Sequence, residues 1–279
     1  MTNLSRYWAD WSTRDFAELQ RSSGLKNLIA VLPVAATEQH GPHLPMCVDS
    51  AIVDGVVSAA IAQLTVDTPA LFLPTQAVGY SPEHASFAGT LTLKVETLIR
   101  LWTDIAESVA ASGVKKLVLF NSHGGQAGVM DVVARDLRAR LGMLVYSVNW
   151  YSLPLLGPDG SNIEDSFSAH EHRFGMHAGD IETSMMLALR PSLVDMTQAQ
   201  NFQSTAQDRA RKFPILGNGK SAKLGWQMQD YNASGAVGNA AAASAQKGQA
   251  LVDAAGAALA RLLAEIHALP ADTLRDSVA

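Results

Sequence analysis

Acidic and histidine side chains concentrate between residues 37 and 49, where the sequence reads TEQHGPHLPMCVD. Glu38 and His40 are two residues apart, so in extended backbone their side chains project to the same side. Asp49 comes just before a helical pattern, where its simplest role would be a helix N-cap. Carboxylate oxygens and an imidazole nitrogen together form a typical ligand set for a divalent cation. We therefore predict a metal site that includes Glu38, His40 and Asp49.

A second candidate ligand is His123, which directly follows an apolar run and precedes two glycines. Glycines allow the backbone to approach a ligand closely, so a histidine at this position suits metal binding. The alternative interpretation is a phosphate-binding glycine loop that opens a helix. The segment lacks the lysine of a P-loop and the three glycines of a dinucleotide fingerprint, which also disfavours a nucleotide-binding oxidoreductase.

A third segment, HAGDIETS at 177–184, supplies another histidine and another carboxylate. Glu182 opens an apolar helix and could simply favour the helix dipole, and His177 could be an ordinary loop residue. Seven of the eight histidines nevertheless lie in or beside these three segments and a loop near residue 80. Packing does not readily explain that concentration, so His177 and Glu182 are candidates for catalysis or metal binding.

Four short apolar runs, at 28–35, 71–78, 116–122 and 144–150, predict buried strands. Apolar residues recur every three or four positions at 52–61, 95–111 and 127–141, which predicts helices between the strands. This alternation indicates an α/β fold with a mostly parallel sheet and helices on both faces. Ligands bind beyond the carboxyl ends of the strands in such sheets, and all four predicted strand ends carry polar or unusual residues.

The second half of the chain is less regular. Residues 151–173 are polar and predict a long loop or lid, 183–189 predict a helix, and 202–238 look irregular. Residues 240–268 predict a long alanine-rich helix. No repeat or linker is visible, so we predict one domain over residues 1–279, with 1–25 as an N-terminal extension.

Composition excludes several classes of protein. A formal net charge of −5 without a basic run argues against nucleic acid as a partner. No uncharged apolar run of about 18 residues occurs, so no membrane span is expected. Cys47 is the only cysteine, which excludes an intrachain disulfide and predicts a reducing compartment, the cytoplasm.

Taken together, these segments resemble the creatininase (creatinine amidohydrolase) family from about residue 31 to residue 238. The motifs that carry the resemblance are EQHGPHLP at 38–45 with Asp49, HGG at 123–125, and HAG with ETS between 177 and 184. The resemblance implies an α/β fold, a centre of two metal ions (Zn, Mn or in some members Fe), amide hydrolysis and a homohexamer.

The resemblance also implies a ligand set. Glu38 and His123 match ligands of one ion, His40 matches a ligand of the other, and Asp49 matches a carboxylate that bridges them. Creatininase has a further glutamate two residues after the histidine that His123 matches, and this chain has Gly125 there. We therefore expect Glu182 to replace that ligand, and the departure argues against creatinine itself as the substrate.

Catalytic and substrate-binding roles follow in the same way. His177 matches the catalytic histidine of the family, and Trp150 lies roughly where creatininase has a substrate-lining tryptophan, although a tryptophan at a strand end is often simply core. Ser81, His84 and Gly124 lie after predicted strands, where side chains that contact the substrate belong.

We accordingly predict a metal-dependent amidohydrolase for a small cyclic amide, assembled as a homohexamer. Two cations that share a carboxylate lower the pKa of a bound water and polarise the amide carbonyl, which the resulting hydroxide attacks. A histidine then protonates the leaving nitrogen. Formamides and the ends of short peptides are alternative substrates, and a non-catalytic scaffold protein that keeps a structural metal is a further alternative, since folds do not fix functions.

Overall fold

The computed structural model describes residues 5–270 and 272–275. A parallel four-stranded sheet in the order β2-β1-β3-β4 forms its centre. The strands are β1 (Ile29–Val34), β2 (Ala70–Phe72), β3 (Lys116–Asn121) and β4 (Leu144–Asn149). A separate antiparallel pair joins β5 (Asn201–Phe202) to β6 (Gly238–Asn239).

Helices cover both faces of the sheet. They are α1 (Thr13–Arg21), α2 (Val48–Gln63), α3 (Val95–Ala111), α4 (Ala127–Leu141), α5 (Ala169–Phe174), α6 (Asp180–Leu189), α7 (Ala206–Lys212) and α8 (Ala245–Ala268). Side chains of α2, α6 and α8 form one core with Ile29 and Val31, and those of α1, α3 and α4 form another with Ala30 and Leu32. Successive β1 residues thus face opposite cores, as a buried strand requires. The predicted α/β fold is confirmed.

Some boundaries differ from the prediction. β2 ends at Phe72 instead of residue 78, because Pro74 has no N–H for the ladder and pairing resumes only as a single bridge between Gln76 and Val34. Helix α8 begins at Ala245 instead of 240, where the Ser244 side chain accepts a hydrogen bond from the backbone N–H of Lys247. The segment 151–173 is not a continuous loop, since α5 begins within it.

Residues of the predicted N-terminal extension and of the C-terminal helix belong to the core. Leu19 and Leu25, from the predicted N-terminal extension, are buried in the core formed with α3 and α4; residues 1–4 lie outside the described part. The small residues of α8 pack within the chain, where a side chain at Gly256 would collide with Ala59 on α2. No helix in the described part of the chain is both long and apolar enough to cross a lipid bilayer.

Candidate metal centre and its cavity

The five predicted ligands meet beyond the carboxyl ends of β1 and β3: Glu38, His40, Asp49, His123 and Glu182. Two come from the segment after β1, one from the loop after β3, and one each from the first turns of α2 and α6. The first four are at most 4% exposed. Residues far apart in sequence are close in space here because parallel strands end at the same edge.

The ligands form two groups that share Asp49. His40 Nε2 lies 3.7 Å from Asp49 Oδ1 and 3.9 Å from Glu182 Oε2. His123 Nδ1 lies 3.2 Å from Glu38 Oε1 and 3.5 Å from Asp49 Oδ2. Each histidine therefore faces one oxygen of the Asp49 carboxylate. The interpretation of Asp49 as an N-cap is wrong, since Cys47 occupies the N-cap of α2 and Asp49 is its second residue.

Backbone carbonyl groups determine which histidine nitrogen faces the carboxylates. His40 Nδ1 donates to the carbonyl oxygen of Glu38 at 3.0 Å, and His123 Nε2 donates to that of Tyr80 at 3.1 Å. In the neutral ring the other nitrogen then presents a lone pair to carboxylate oxygens, which is repulsive unless a cation or a proton lies between. Glu38 Oε2, His40 Nε2 and Asp49 Oδ2 are buried without a hydrogen-bond partner. These residues fit a divalent cation.

Burial and mutual charge shift the pKa values of the ligands strongly. Burial raises the pKa of Glu182 to about 7. Attraction to His40 opposes this rise, and repulsion from Asp49 adds to it. Burial, followed by the charge of Glu38, also raises the pKa of Asp49. Burial alone would lower the pKa of His40, but the adjacent carboxylates of Asp49 and Glu182 raise it to about 9. Such a concentration of buried carboxylates favours bound positive charge.

Gln39 orients two further histidines next to the ligands. Its side-chain amide donates to His84 Nδ1 at 2.7 Å, so His84 directs its Nε2–H toward Glu38 Oε1, 3.5 Å away. His177 Nε2 donates to the Gln39 carbonyl oxygen at 2.8 Å, which leaves its Nδ1 3.9 Å from Glu38 Oε1. Burial and the charge of His40 lower the pKa of His177. A neutral His177 thus presents a proton acceptor, while His84 presents a donor.

All of these residues except Gln39 and His40 line one part of a cavity of about 990 Å³. We call the part lined by the ligand residues and His177 the inner end. The outer end is lined mainly by residues of the segment 203–231, including Trp226 and Tyr231. The Trp226 ring lies 5.2 Å from that of Tyr231, and the Arg209 guanidinium lies 4.7 Å above the Tyr231 ring.

Three basic side chains also line the cavity, together with the carboxylates of Glu164 and Glu171. The basic side chains are those of Arg173, Arg209 and Lys223. Within the described ranges, no carboxylate lies within 4 Å of a charged nitrogen of these three side chains. The cavity therefore carries basic side chains in addition to the acidic ligand residues.

The predicted substrate-binding residues have different positions. His84, Gly124 and Trp150 line the cavity. Ser81 does not match its prediction, because it is fully buried and its hydroxyl lies 3.3 Å from His123 Nε2. Ser81 therefore contacts the back of a ligand histidine instead of the cavity.

Sequence analysis did not assign two residues that line the inner end. Glu83 Oε1 lies 3.4 Å from His123 Nε2, next to Gly125. Glu182, which was expected to replace the glutamate absent at position 125, lies with the candidate ligands His40 and Asp49. Tyr151 follows β4, and burial with the charges of Asp49 and Glu182 raises its pKa to about 12, so its phenol stays a neutral donor. The position of Tyr151 shortly after a strand could have identified it as a candidate cavity residue.

The chain is similar to several known proteins. The profile of the creatininase family, described as creatinine amidohydrolase, matches residues 9–263. The mycofactocin precursor peptide peptidase of Mycobacterium tuberculosis is 34% identical over 168 residues, which are 58% of this chain and 59% of that protein. The chain thus aligns with about three fifths of the length of that relative.

Two further comparisons cover more of the chain. The creatinine amidohydrolase of Pseudomonas putida is 28% identical over 235 residues, 81% of this chain and 84% of that protein. A solved structure of a manganese form of creatininase superposes with a TM-score of 0.74 at 24% identity, covering 95% of this chain and all of that one. Creatininase has also been solved in a zinc–zinc form. At this identity the solved structures show the fold.

Proposed function

The chain belongs to the creatininase family, and we propose that it is a hydrolase dependent on two divalent cations that cleaves an amide bond near the end of a short peptide. The observation that carries this proposal is the size of the cavity onto which the ligand residues open, about 990 Å³. That volume is at the upper end of the range for ligand cavities, about 300–1,000 Å³. A small cyclic amide would leave most of it empty.

Basic side chains of the cavity wall support a peptide end with a free carboxylate. Arg173, Arg209 and Lys223 have no carboxylate partner within 4 Å in the described part of the chain. Arginine binds carboxylates in a bidentate geometry, and the aromatic rings of Trp226 and Tyr231 offer an apolar wall for side chains. The relative named as a precursor peptide peptidase supports the same substrate class.

The residues of the inner end have separate roles in this reaction. Glu38, His123, His40, Glu182 and the shared Asp49 would hold the cations, which supply an activated water and polarise the amide carbonyl. His177 Nδ1 accepts the proton of the attacking water and then delivers it to the leaving nitrogen. The neutral phenol of Tyr151 and the Nε2–H of His84 are donors for oxygen atoms of the reacting amide. Trp150 is buried and lines the cavity, where it restricts access of bulk water.

A small cyclic amide is the second candidate substrate. The creatinine amidohydrolase of Pseudomonas putida matches 81% of this chain, more than the peptidase does. The same residues would open a ring amide by the same proton transfer. The substrate classes differ in what they require of the outer end, which a small ring would not reach.

Matched substrates test the proposal. We expect metal-loaded protein to hydrolyse short peptides with a free carboxyl end, with a KM about tenfold lower than for the same peptides amidated at that end. In Arg209→Met that preference should disappear, because the guanidinium is removed from the cavity wall. Arg14→Met, on the exposed face of α1, is the control. Turnover of cyclic amides alone, or an unchanged preference in Arg209→Met, contradicts the peptide proposal.

We also propose a closed homohexamer, which rests on the family resemblance. Light scattering at micromolar concentration should give a mass well above the 29.7 kDa of one chain. A single 29.7 kDa species would reject it.

A further inference from the structure

Glu171 is a buried carboxylate on the cavity wall, outside the group of metal ligands. It lies on α5, is 2% exposed and lines the cavity. In the described part of the chain, no Lys or Arg nitrogen lies within 4 Å of its carboxylate. Glu171 Oε1 instead accepts the backbone N–H of Asp180 at 2.6 Å, and Oε2 accepts that of Asn239 at 2.8 Å. Because Asp180 is the first residue of α6 and its N–H has no partner within that helix, Glu171 caps α6 from another helix.

Three glycines leave space for this carboxylate. A Cβ at Gly175, Gly179 or Gly238 would overlap Glu171 Oε1. Neither Gly175 nor Gly179 has the positive φ that would itself favour glycine. At these two positions, room for the Glu171 carboxylate is therefore the structural reason for glycine.

The two bonds of Glu171 hold the backbone that carries His177. Residues 177–180, here called the 177–180 turn, lead from a bridge with Val237 into α6. At the start of the turn, the carbonyl oxygen of His177 accepts the N–H of Val237 at 2.9 Å. At its end, the N–H of Asp180 is bonded to Glu171, and Asn239, two residues after Val237, is bonded to the same carboxylate. One side chain thus fixes the end of the turn and the segment to which the start of the turn is bonded.

The 177–180 turn also contains an unfavourable backbone conformation. Ala178 has a φ of 55°, in the left-handed region that residues with a Cβ rarely adopt. Such a conformation persists only where surrounding contacts determine it. We propose that Glu171 is a positioning residue for His177: its carboxylate fixes the 177–180 turn and thereby holds the His177 imidazole at the inner end of the cavity. This inference rests on the role of His177 in the proposed function.

Hydrogen exchange of the full-length, zinc-loaded protein tests the inference without a substrate. Glu171→Gln keeps the volume of the side chain but replaces one acceptor oxygen with an N–H donor. Read by mass spectrometry at single-residue resolution, the amides of Asp180 and Asn239 should exchange about tenfold faster than in the wild type. The amide of Val237 should also exchange faster, although it bonds to His177 and not to Glu171. Unchanged exchange at Val237 overturns the inference, because Glu171 then does not hold the attachment of His177.

Kinetics on the peptides of the proposed function give a second readout. Metal content is measured in each variant, because the N–H of Ala178 donates to the ligand Glu182, and rates are compared at full occupancy. Glu171→Gln should lower kcat by about tenfold and change KM by less than about threefold, since a displaced catalytic group costs rate. In a His177→Ala background, Glu171→Gln should cause no further loss of kcat, because the group that it positions is already absent.

Gly175→Ala is a second variant, since its Cβ displaces the Glu171 carboxylate without removing it. It should reproduce both results and replaces Glu171→Gln if that protein does not fold. Glu96→Gln, at an exposed position in the first turn of α3, is the matched control and should keep the wild-type exchange and kcat.

The remaining outcomes separate the inference from the proposed function. An equal loss of kcat from Glu171→Gln with and without His177 overturns the inference, because Glu171 then acts on the substrate from the cavity wall. Wild-type kcat in Glu171→Gln, with His177→Ala impaired, overturns the inference alone. Near-normal kcat in His177→Ala overturns the proposed role of His177 and the inference with it.

Discussion

The inner and outer ends of the cavity are built from different kinds of structure. At the inner end, the Ser122 hydroxyl donates to the Asp49 carbonyl oxygen at 2.8 Å, and the Asn121 side chain accepts from the backbone N–H of His123 at 3.0 Å. These bonds join the ends of the strands to the ligand residues. The outer end belongs to a segment of short helices and turns, in which Phe213 and Ile215 are at least half exposed.

This difference separates the two tasks of a hydrolase. Groups held by strand ends are fixed by the core, which suits chemistry that needs a constant geometry. Loops vary more readily than the sheet that carries them, which suits substrate selection. The family relatives fit this division, since one is named for a peptide and another for creatinine. We therefore expect inner-end variants to change metal content or kcat, and outer-end variants to change KM.

The inner-end variant His177→Ala is expected to have a larger kinetic effect than the outer-end variant Trp226→Ala. The variant loses the proton acceptor and donor of the inner end, so kcat should fall by about 10²–10⁴-fold while both ions remain bound. The loss should be smaller for a substrate whose leaving nitrogen is already acidic. His170→Ala, at an exposed position on α5, is the control. Near-normal kcat in fully metallated His177→Ala would remove His177 from the mechanism.

Trp226→Ala is expected to have a smaller effect of a different kind. The ring lines the outer end and lies 6.0 Å from that of His84, so its loss removes apolar contact with the substrate. KM should rise about tenfold, equivalent to roughly 1.4 kcal/mol of binding, with kcat and metal content nearly unchanged. Phe213→Ser, which is exposed and outside the cavity, serves as the comparison. Loss of metal in Trp226→Ala would show that the two ends are not independent.

The proximity of the candidate ligands could be predicted from the sequence because three of them follow strands. His123 is the second residue after β3, and Glu38 and His40 come within six residues of the end of β1. Since parallel strands end at one edge, their proximity follows from the fold class. Glu182 lies in the first turn of a helix, which the apolar pattern after it indicates.

The rest of the candidate site depends on contacts that no local sequence pattern encodes. Glu83 meets Gly125 across more than forty residues, and only the folded loop after β2 reveals that the missing side chain at 125 makes room for it. Arg209 and Trp226 lie in a segment without helical or strand periodicity over most of its length, so their position on the cavity wall could not be predicted. Ser81 was predicted to contact the substrate but is buried behind His123. A position after a strand does not decide whether a side chain faces the cavity or the core.

The central claim, that two cations share Asp49 at the inner end, is tested most directly by elemental analysis of Asp49→Ala. The wild type should carry about two divalent ions per chain, and the variant should lose both or bind them far more weakly, because this carboxylate faces both histidines. Asp54→Ala is the matched control, since Asp54 lies on the same helix but is exposed and bonds to Thr75. Wild-type occupancy of both ions in Asp49→Ala would contradict the account.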